Sequence, residues 1–498
     1  MTRPASPAIG TVLISTALVA VTACSVRGTD IRAVEPTPPA AFEGATNPSL
    51  AATEPVDAWW TTFQDARMTS LVEQALSRSP DVRQATALVR LARARMREQE
   101  GTNWPVGGAR ASADRSRTQA GISPVSDANL FDIGVDASWE VDVFGARRAA
   151  IAGARADFAR ERSLRRLTLV SVAAEVVLAY ADIRGTQTRL AVARDNVANQ
   201  ESAAALTAQL LNAGRGTQLD VDRANALLES TRASIPPLIV AESAAIYRLG
   251  VLVGAHPQAL AADLRVPEAL PVPPDALGIG EPIMLLRRRP DVAAAEAAVF
   301  AAAARAGVAA AELFPRLVLN GGIGLQSFSI GNADNRGLQF GVGVGVTLPF
   351  LEWNRIRQRI LAADATAEIA VADYERTALS ALEEAERAIT AYVQERERFG
   401  HLDLAARSAR AAADLARQRY QLGVDNFLTV LDAERVRLDA EDQLAASRVE
   451  VTRQAASIFK ALGGGWSEAE RLTSGQLADD DRDRLRRIVE VGRKQSIR

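Results

Sequence analysis

The chain has 498 residues, 48% of them hydrophobic, with 58 basic against 60 acidic side chains and a formal net charge of -2. That near-balance argues against a nucleic-acid binder, which carries a basic excess, so no nucleic acid is expected as a partner. One cysteine and two histidines exclude a disulfide framework and any multi-Cys/His metal site, and no metal or cofactor is expected. Only 5% of residues are aromatic, while alanine, the best intrinsic helix former, is abundant. No G-x-S-x-G, G-x-x-x-x-G-K-[ST] or G-x-G-x-x-G occurs, and neither His256 nor His401 sits in a recognisable motif. No catalytic residue is expected, and the chain is read as a non-enzyme.

The N-terminus carries Arg3 and an apolar run from Ile9 to Ala20. The run is too short to span a bilayer and fits the core of a secretory signal over residues 1–23. It ends in Val21-Thr22-Ala23-Cys24, small residues leading into the only cysteine. This is the bacterial lipobox pattern, which predicts cleavage before Cys24 and lipidation of its sulfur. Ser25, rather than an aspartate, follows it, so the expected destination is the outer membrane.

The remainder is a duplication. Ser79-Pro80-Asp81-Val82 recurs as Arg289-Pro290-Asp291-Val292, and Trp104-Pro105 as Phe314-Pro315, both 210 residues on. The run starting at Phe131 recurs at Phe340, Ala213-Gly214 as Leu422-Gly423, and Leu219-Asp220-Val221 as Leu428-Thr429-Val430, all 209 residues on. A period this long is no solenoid repeat. It means two copies of one structural half.

Each half reads as helix, two strands, long helix, turn, return helix. The first helix is predicted over about 68–99 and ends near Gly101 and Pro105. Residues 145–211 lack proline. As one helix they would run roughly 100 Å at ~1.5 Å per residue, the length of a coiled-coil-like rod. The counterpart is 355–421, where Leu379, Leu382, Ala385, Ile389 and Tyr392 predict one apolar stripe. Gly214 and Gly423 fall where a helix end needs a left-handed residue. Thr217 with Asp220 makes a shortened capping box, and Asn426 is the equivalent N-cap. Return helices are expected over about 218–253 and 427–462.

From Phe131 to Val143 odd positions are apolar, while the even ones include Asp132, Asp136 and Glu140. From Leu338 to Leu348 even positions are apolar and the positions between are mostly glycine. Strict alternation over 11–13 residues is the length and pattern of a transmembrane β-strand facing lipid on one side and a wet lumen on the other. The partner strands are expected at about 106–117 and 317–328; the first is weak, with only alanine on its apolar side. The intervening segments, near 118–130 and 329–337, are turn sequence. Four strands cannot close a barrel, and an open edge is not tolerated in lipid, so several chains must pool their strands. Three chains give twelve. The lumen-facing acids predict a cation-tolerant mouth.

These features, together with Trp59-Trp60-Thr61-Thr62-Phe63, Leu286 to Glu296 (Leu-Arg-Arg-Arg-Pro-Asp-Val-Ala-Ala-Ala-Glu), Leu348-Pro349-Phe350 and the stretch Tyr420 to Arg435, resemble the TolC-like outer-membrane factor family. More narrowly, the chain is similar to the NodT-type lipoproteins of resistance–nodulation–division (RND) efflux systems. The resemblance covers about 24–466 and leaves out the charged tail. It implies a mainly α fold with a transmembrane β-barrel, built as a homotrimer whose twelve strands continue into a long periplasmic α-helical barrel. The expected segments are a signal peptide (1–23), an N-terminal equatorial segment (24–66), a first repeat (67–253), an equatorial insert (254–280), a second repeat (281–462) and a C-terminal equatorial segment with the tail (463–498). The implied partners are outer-membrane lipid, a periplasmic membrane-fusion adaptor and an inner-membrane RND transporter. The implied function is export of drugs or other small molecules from the periplasm. Two alternatives stay open: a channel for type I protein secretion, and a purely structural periplasmic coiled-coil lipoprotein.

The resemblance further implies a gate at the periplasmic tip, formed by Tyr420, Leu428, Asp432, Arg435 and Asp220, with Leu428 as an apolar ring. Asp432 and Arg435 lie three apart on one helix face and can join ion pairs between helices. The tips, with Gly214, Thr217, Gly423 and Asn426, are expected to touch the adaptor.

Overall fold

The computed structural model describes residues 38–118, 126–327, 336–467 and 470. The signal segment with Cys24, the tips of both strand-connecting loops and most of the charged tail lie outside these residues. In chain order the elements are β1 (Leu50–Ala51), α1 (Ala66–Arg78), α2 (Pro80–Gly101), β2 (Val106–Thr118), β3 (Ser126–Val141), α3 (Ala146–Asn212), α4 (Gln218–Ala233), α5 (Ile235–Leu252) and α6 (Ala261–Leu264). They continue as β4 (Leu277–Gly278), α7 (Pro282–Arg288), α8 (Pro290–Ala311), β5 (Arg316–Ser327), β6 (Arg336–Thr347), α9 (Trp353–Gln421) and α10 (Phe427–Ala461).

The long helices, of 67 and 69 residues, are uninterrupted, as the missing prolines predict. Two expected helices are broken. The one expected over 68–99 divides at Ser79, whose ψ of 134° is extended. Pro80 forces this, because its ring disfavours the helical region for the residue before it. The first return helix, expected over 218–253, divides at Ser234. Pro236 and Pro237 follow, and the two missing N–H groups interrupt the ladder. Its counterpart α10 has no proline and runs unbroken. The predicted stripe on α9 is also corrected. Leu379 is 60% exposed, while Ala378, Ala381, Ala385, Ile389 and Tyr392 are buried, so the contact line is built mainly from small side chains.

The chain divides into two compact units. The first contains Val89–Glu161 and Ala294–Glu375 and holds a four-stranded antiparallel sheet in the order β2-β3-β5-β6. Each repeat supplies one hairpin. The β3–β5 pairing, from Phe131 opposite Ser327 to Val141 opposite Leu317, joins them. The sheet has a polar face and an apolar one, as the alternation predicts, and the apolar face is uncovered: Ile133, Val135, Ile323, Leu325, Phe340, Val342, Val344 and Val346 are all exposed. Helix ends near the sheet are tied by Arg155 to Glu100 at 2.7 Å and Arg305 to Asp157 at 2.6 Å.

Of the described residues, the second unit contains 38–88, 162–293, 376–467 and 470. Its aromatic core comes from the Trp59-to-Phe63 motif, a 3-10 turn in which both tryptophans are buried. The Trp59 ring stacks on Phe459 of α10 at 5.0 Å. Parallel pairing of β1 with β4, Leu50 opposite Leu277, ties the N-terminal segment to the insert between the repeats. Arg184, buried on α3, holds the same insert: it donates to the Val266 carbonyl at 2.7 Å, pairs with Glu268, and lies over the Tyr180 ring. Burial pushes the Tyr180 hydroxyl up to about 12. The Arg-Pro-Asp motif has a structural role here. The Arg289 guanidinium reaches Asp291 and Glu384, both at 2.7 Å, and donates to the Ala461 carbonyl at the end of α10. One side chain thus links α8, α9 and α10.

Candidate functional site

Two places carry the predicted functional residues: the hairpin tips and the polar face of the sheet. At the tips, α3 and α9 end in the same motif. The Arg215 N–H donates to Leu210 O at 2.8 Å and Gly214 N–H to Leu211 O at 2.9 Å; Val424 donates to Arg419 and Gly423 to Tyr420, both at 2.9 Å. This is the Schellman pattern, which requires a left-handed C′ residue. Gly214 and Gly423 supply it with φ of 68° and 74°, so any L side chain at either position is strained. The return helices start with the predicted caps. Thr217 Oγ1 accepts from the Asp220 N–H while Asp220 Oδ2 accepts from the Thr217 N–H, both at 3.2 Å. Asn426 Oδ1 accepts from the Thr429 N–H at 3.1 Å. Asp220 therefore caps its own helix.

Asp425 is held by Arg419 at 2.6 Å, and that hydrogen bond keeps its carboxyl below the usual carboxylate range. A depressed folded value means the tie is fully present above the ordinary carboxylate pKa and is lost as pH falls through the lower one. Beneath the tips Phe427, Val430, Ala224 and Ala416 form a small core, and Tyr420 packs against it with its ring 5.4 Å from Phe427. The Tyr420 hydroxyl is buried and has no hydrogen-bond partner among the described residues. Burial first, then the charge of Asp220, pushes its pKa up, so it stays a neutral donor. Leu428 is 51% exposed. Asp432 and Arg435 approach only to 3.8 Å, both largely in solvent; within one chain such a pair contributes little.

The sequence reading missed a charged layer just below. Along α10 the buried line Phe427, Val430 continues through Glu434, Arg437 and Glu441 to Ala445. The spacing of three and four was visible, but the charges on it disguised a buried face. The Glu434 carboxylate pairs with Arg417 of α9, with Arg437 at 2.9 Å, and accepts from Gln200 of α3 at 3.2 Å. Glu441 pairs with Arg410 at 2.8 Å. Three helices thus converge on one carboxylate.

On the sheet, Asp132, Asp136 and Glu140 share the polar face, as the alternation predicts, but they are not an uncompensated acidic surface. Arg110 of β2 stands opposite Gly134, between the two aspartates, and lies 2.8 Å from Asp132 and 3.6 Å from Asp136. Glu140 is 3.6 Å from Arg147. Two arginines thus accompany the three acids on this face. Glycines face Asp136 on β5 and β6, with Asp136 opposite Gly322 and Gly322 opposite Gly341, while Asp132 faces Gln326 and Glu140 faces Val318.

A family model described as outer membrane efflux protein matches residues 71–238 and 282–464, one stretch in each repeat. The chain belongs to the outer membrane efflux protein family. It is 31% identical to outer membrane protein OprJ of Pseudomonas aeruginosa over 94% of this chain and 98% of OprJ. It is equally identical to the toluene efflux pump outer membrane protein TtgF of Pseudomonas putida, over 82% of this chain and 85% of TtgF. The solved outer-membrane channel OprN superposes with a TM-score of 0.84 at 38% identity, covering 89% of this chain and all of that one. Membership explains both halves of the fold. The family's proteins are outer-membrane channels that reach into the periplasm, not enzymes, and the chain is the outer-membrane component of an efflux pump.

Proposed function

We propose that three copies of the chain form one export channel. The supporting observation is the sheet. It has an uncovered apolar face and two edges, β2 and β6, that pair with no further strand among the described residues, and unpaired backbone groups are not tolerated in lipid. β2 and β6 run in opposite senses, so β6 of one copy pairs antiparallel with β2 of the next, and the ring closes at twelve strands. The polar face becomes the lumen, with Asp132, Asp136, Glu140 and their arginines lining it. Cys24 adds a lipid anchor.

In this reading the tips form the gate. The exposed Asp432 and Arg435 are placed to bond across copies, Tyr420 supports them from the small core beneath the tip, and threefold symmetry turns Leu428 into an apolar ring. The exposed caps around Gly214, Thr217, Gly423 and Asn426 meet a periplasmic membrane-fusion adaptor, which links the channel to an inner-membrane RND transporter. The cargo class is small organic compounds, including apolar ones of the kind named for the toluene pump.

The test is the mass of the detergent-extracted protein combined with a permeability assay. A trimer is expected. The Tyr420→Phe/Asp432→Ala/Arg435→Ala variant should keep that mass while raising entry of a large periplasm-excluded antibiotic several-fold. A monomer would overturn the channel assembly, and a trimer whose triple variant leaks no more than wild type would overturn the gate assignment. On the sheet, Arg110→Ala should shift reversal potentials in planar bilayers toward cation selectivity, because Asp132 and Asp136 lose their counter-charge. An unchanged reversal potential would place these residues away from the ion path.

A further inference from the structure

The two ends of the sheet differ on its apolar face. At the end joined to the helices, Trp104, Trp139, Phe350 and Trp353 are exposed, and amphipathic aromatic rings of this kind sit at headgroup level. At the far end the alternation that sets Ala109, Ala111 and Ala113 on this face of β2 sets Arg115 and Arg117 next, opposite Asn129 and Asp127. Both arginines are exposed. Arg336 stands opposite Ser327 at the same end of β6.

The spacing fits a membrane. Trp139 and Asn129, the partner of Arg115, are ten residues apart on β3. At ~3.3 Å per residue that is about 33 Å along the strand, and with a tilt of roughly 40° about 25 Å along the normal, the height of a barrel's apolar band. Arg115 and Arg117 therefore lie at the headgroup level of the leaflet remote from the helices. The alanines below them are a second observation. The neighbouring strand presents Ile133 and Val135 opposite Ala111 and Ala109, so β2 is a shallow trough with two guanidinium groups at its head. A trough of about 13 Å along the strand, room for the part of an acyl chain nearest its headgroup, that ends in two arginines matches a phosphorylated lipid, since guanidinium binds phosphate in bidentate fashion.

We propose that Arg115, Arg117 and the alanine trough of β2 form a binding site for a phosphorylated glycolipid of the outer leaflet, with its phosphate on the arginines and an acyl chain over Ala109, Ala111 and Ala113. The site rests on the reading of the sheet as membrane-spanning. It gives the weak, alanine-rich β2 a role.

The test uses the full-length assembly extracted in detergent, with its thermal midpoint followed on adding lipid A, lipid A stripped of phosphate, phosphatidylglycerol or phosphatidylethanolamine. Lipid A is expected to raise the midpoint most, and the stripped form and phosphatidylethanolamine to have little effect. Arg115→Gln/Arg117→Gln should remove more than half of the lipid A response while the untreated oligomer and its conductance stay as in wild type. Ala111→Leu should weaken the response with no change of charge. An undiminished response in both variants would overturn the site. An equal rise with phosphatidylglycerol would overturn the glycolipid assignment in favour of an anionic phospholipid. Should the wild-type protein fail to form an inserted oligomer at all, the membrane-spanning reading itself falls; a normal oligomer that ignores lipid A removes only the site.

Discussion

Arginine at Val342 is expected to keep the protein from reaching its inserted, heat-resistant form, whereas serine at the adjacent Gly341 is expected to be accepted. Val342 is 88% exposed in the middle of β6, on the face whose neighbours are all apolar. Arginine at the bilayer midplane of a barrel costs about 2–4 kcal/mol per copy. Three copies would lose about three times that, comparable to the whole stability of a typical fold. Gly341 lies one residue away on the polar face, and a Cβ built there meets nothing within 4 Å. The readout is the heat-resistant oligomer band in outer-membrane fractions, with total protein as control. Normal assembly of Val342→Arg beside failed assembly of Gly341→Ser would reverse the two faces.

The second large effect is expected at Glu434. This carboxylate is 1% exposed and is shared by Arg417 and Arg437. Glu434→Ala leaves two cations facing each other in a buried layer. Removing one partner of a buried ion pair typically costs about 3–5 kcal/mol, because the charge left behind is uncompensated. Hydrogen exchange should accelerate in α10 around 430–441 and in α3 around 196–207, and the tips should open to proteolysis. Asp432→Ala, two residues away and largely in solvent, should cost less than about 1 kcal/mol. Replacing Glu434, Arg417 and Arg437 together by leucine should recover much of the loss, since apolar substitutes of similar size often match a buried ionic cluster. Equal effects of Glu434→Ala and Asp432→Ala would show that the layer is not the buried hub of the hairpin.

What could be read from the sequence follows a physical divide. The strands, the rod-length helices and the tip glycines were legible because each is written in a local pattern: alternation by two from Phe131, missing prolines from 145 to 211, a glycine followed by a capping residue. The break at Ser79 was equally local, in the Ser-Pro pair, but was overridden by the helical periodicity on either side. Arg110 and Glu434 were not legible. Arg110 acquires its role only when the register sets it opposite Gly134, between two aspartates. Glu434 acquires its role only when α9 and α3 bring Arg417 and Gln200 to it. Pairing across elements depends on alignment that no single stretch of chain encodes. The same holds for the Arg-Pro-Asp motif, recognisable as a marker but explained only by the three helices that Arg289 links.

The two tips share a backbone and differ in chemistry. Both have the Schellman turn and a capped return helix, yet the first exposes Arg215 while the second holds Arg419 against Asp425. The Arg215 guanidinium lies 3.4 Å from where a Cβ on Gly423 would sit, so the two tips are neighbours. In a ring of three chains they alternate six times around the axis. A partner that reads only the shared backbone meets six equivalent positions and binds with a stoichiometry of two per chain. A partner that reads the side chains meets two sets of three and binds one per chain. The number of partner copies that the channel carries is therefore a direct measure of whether it is recognised by its turns or by its charges.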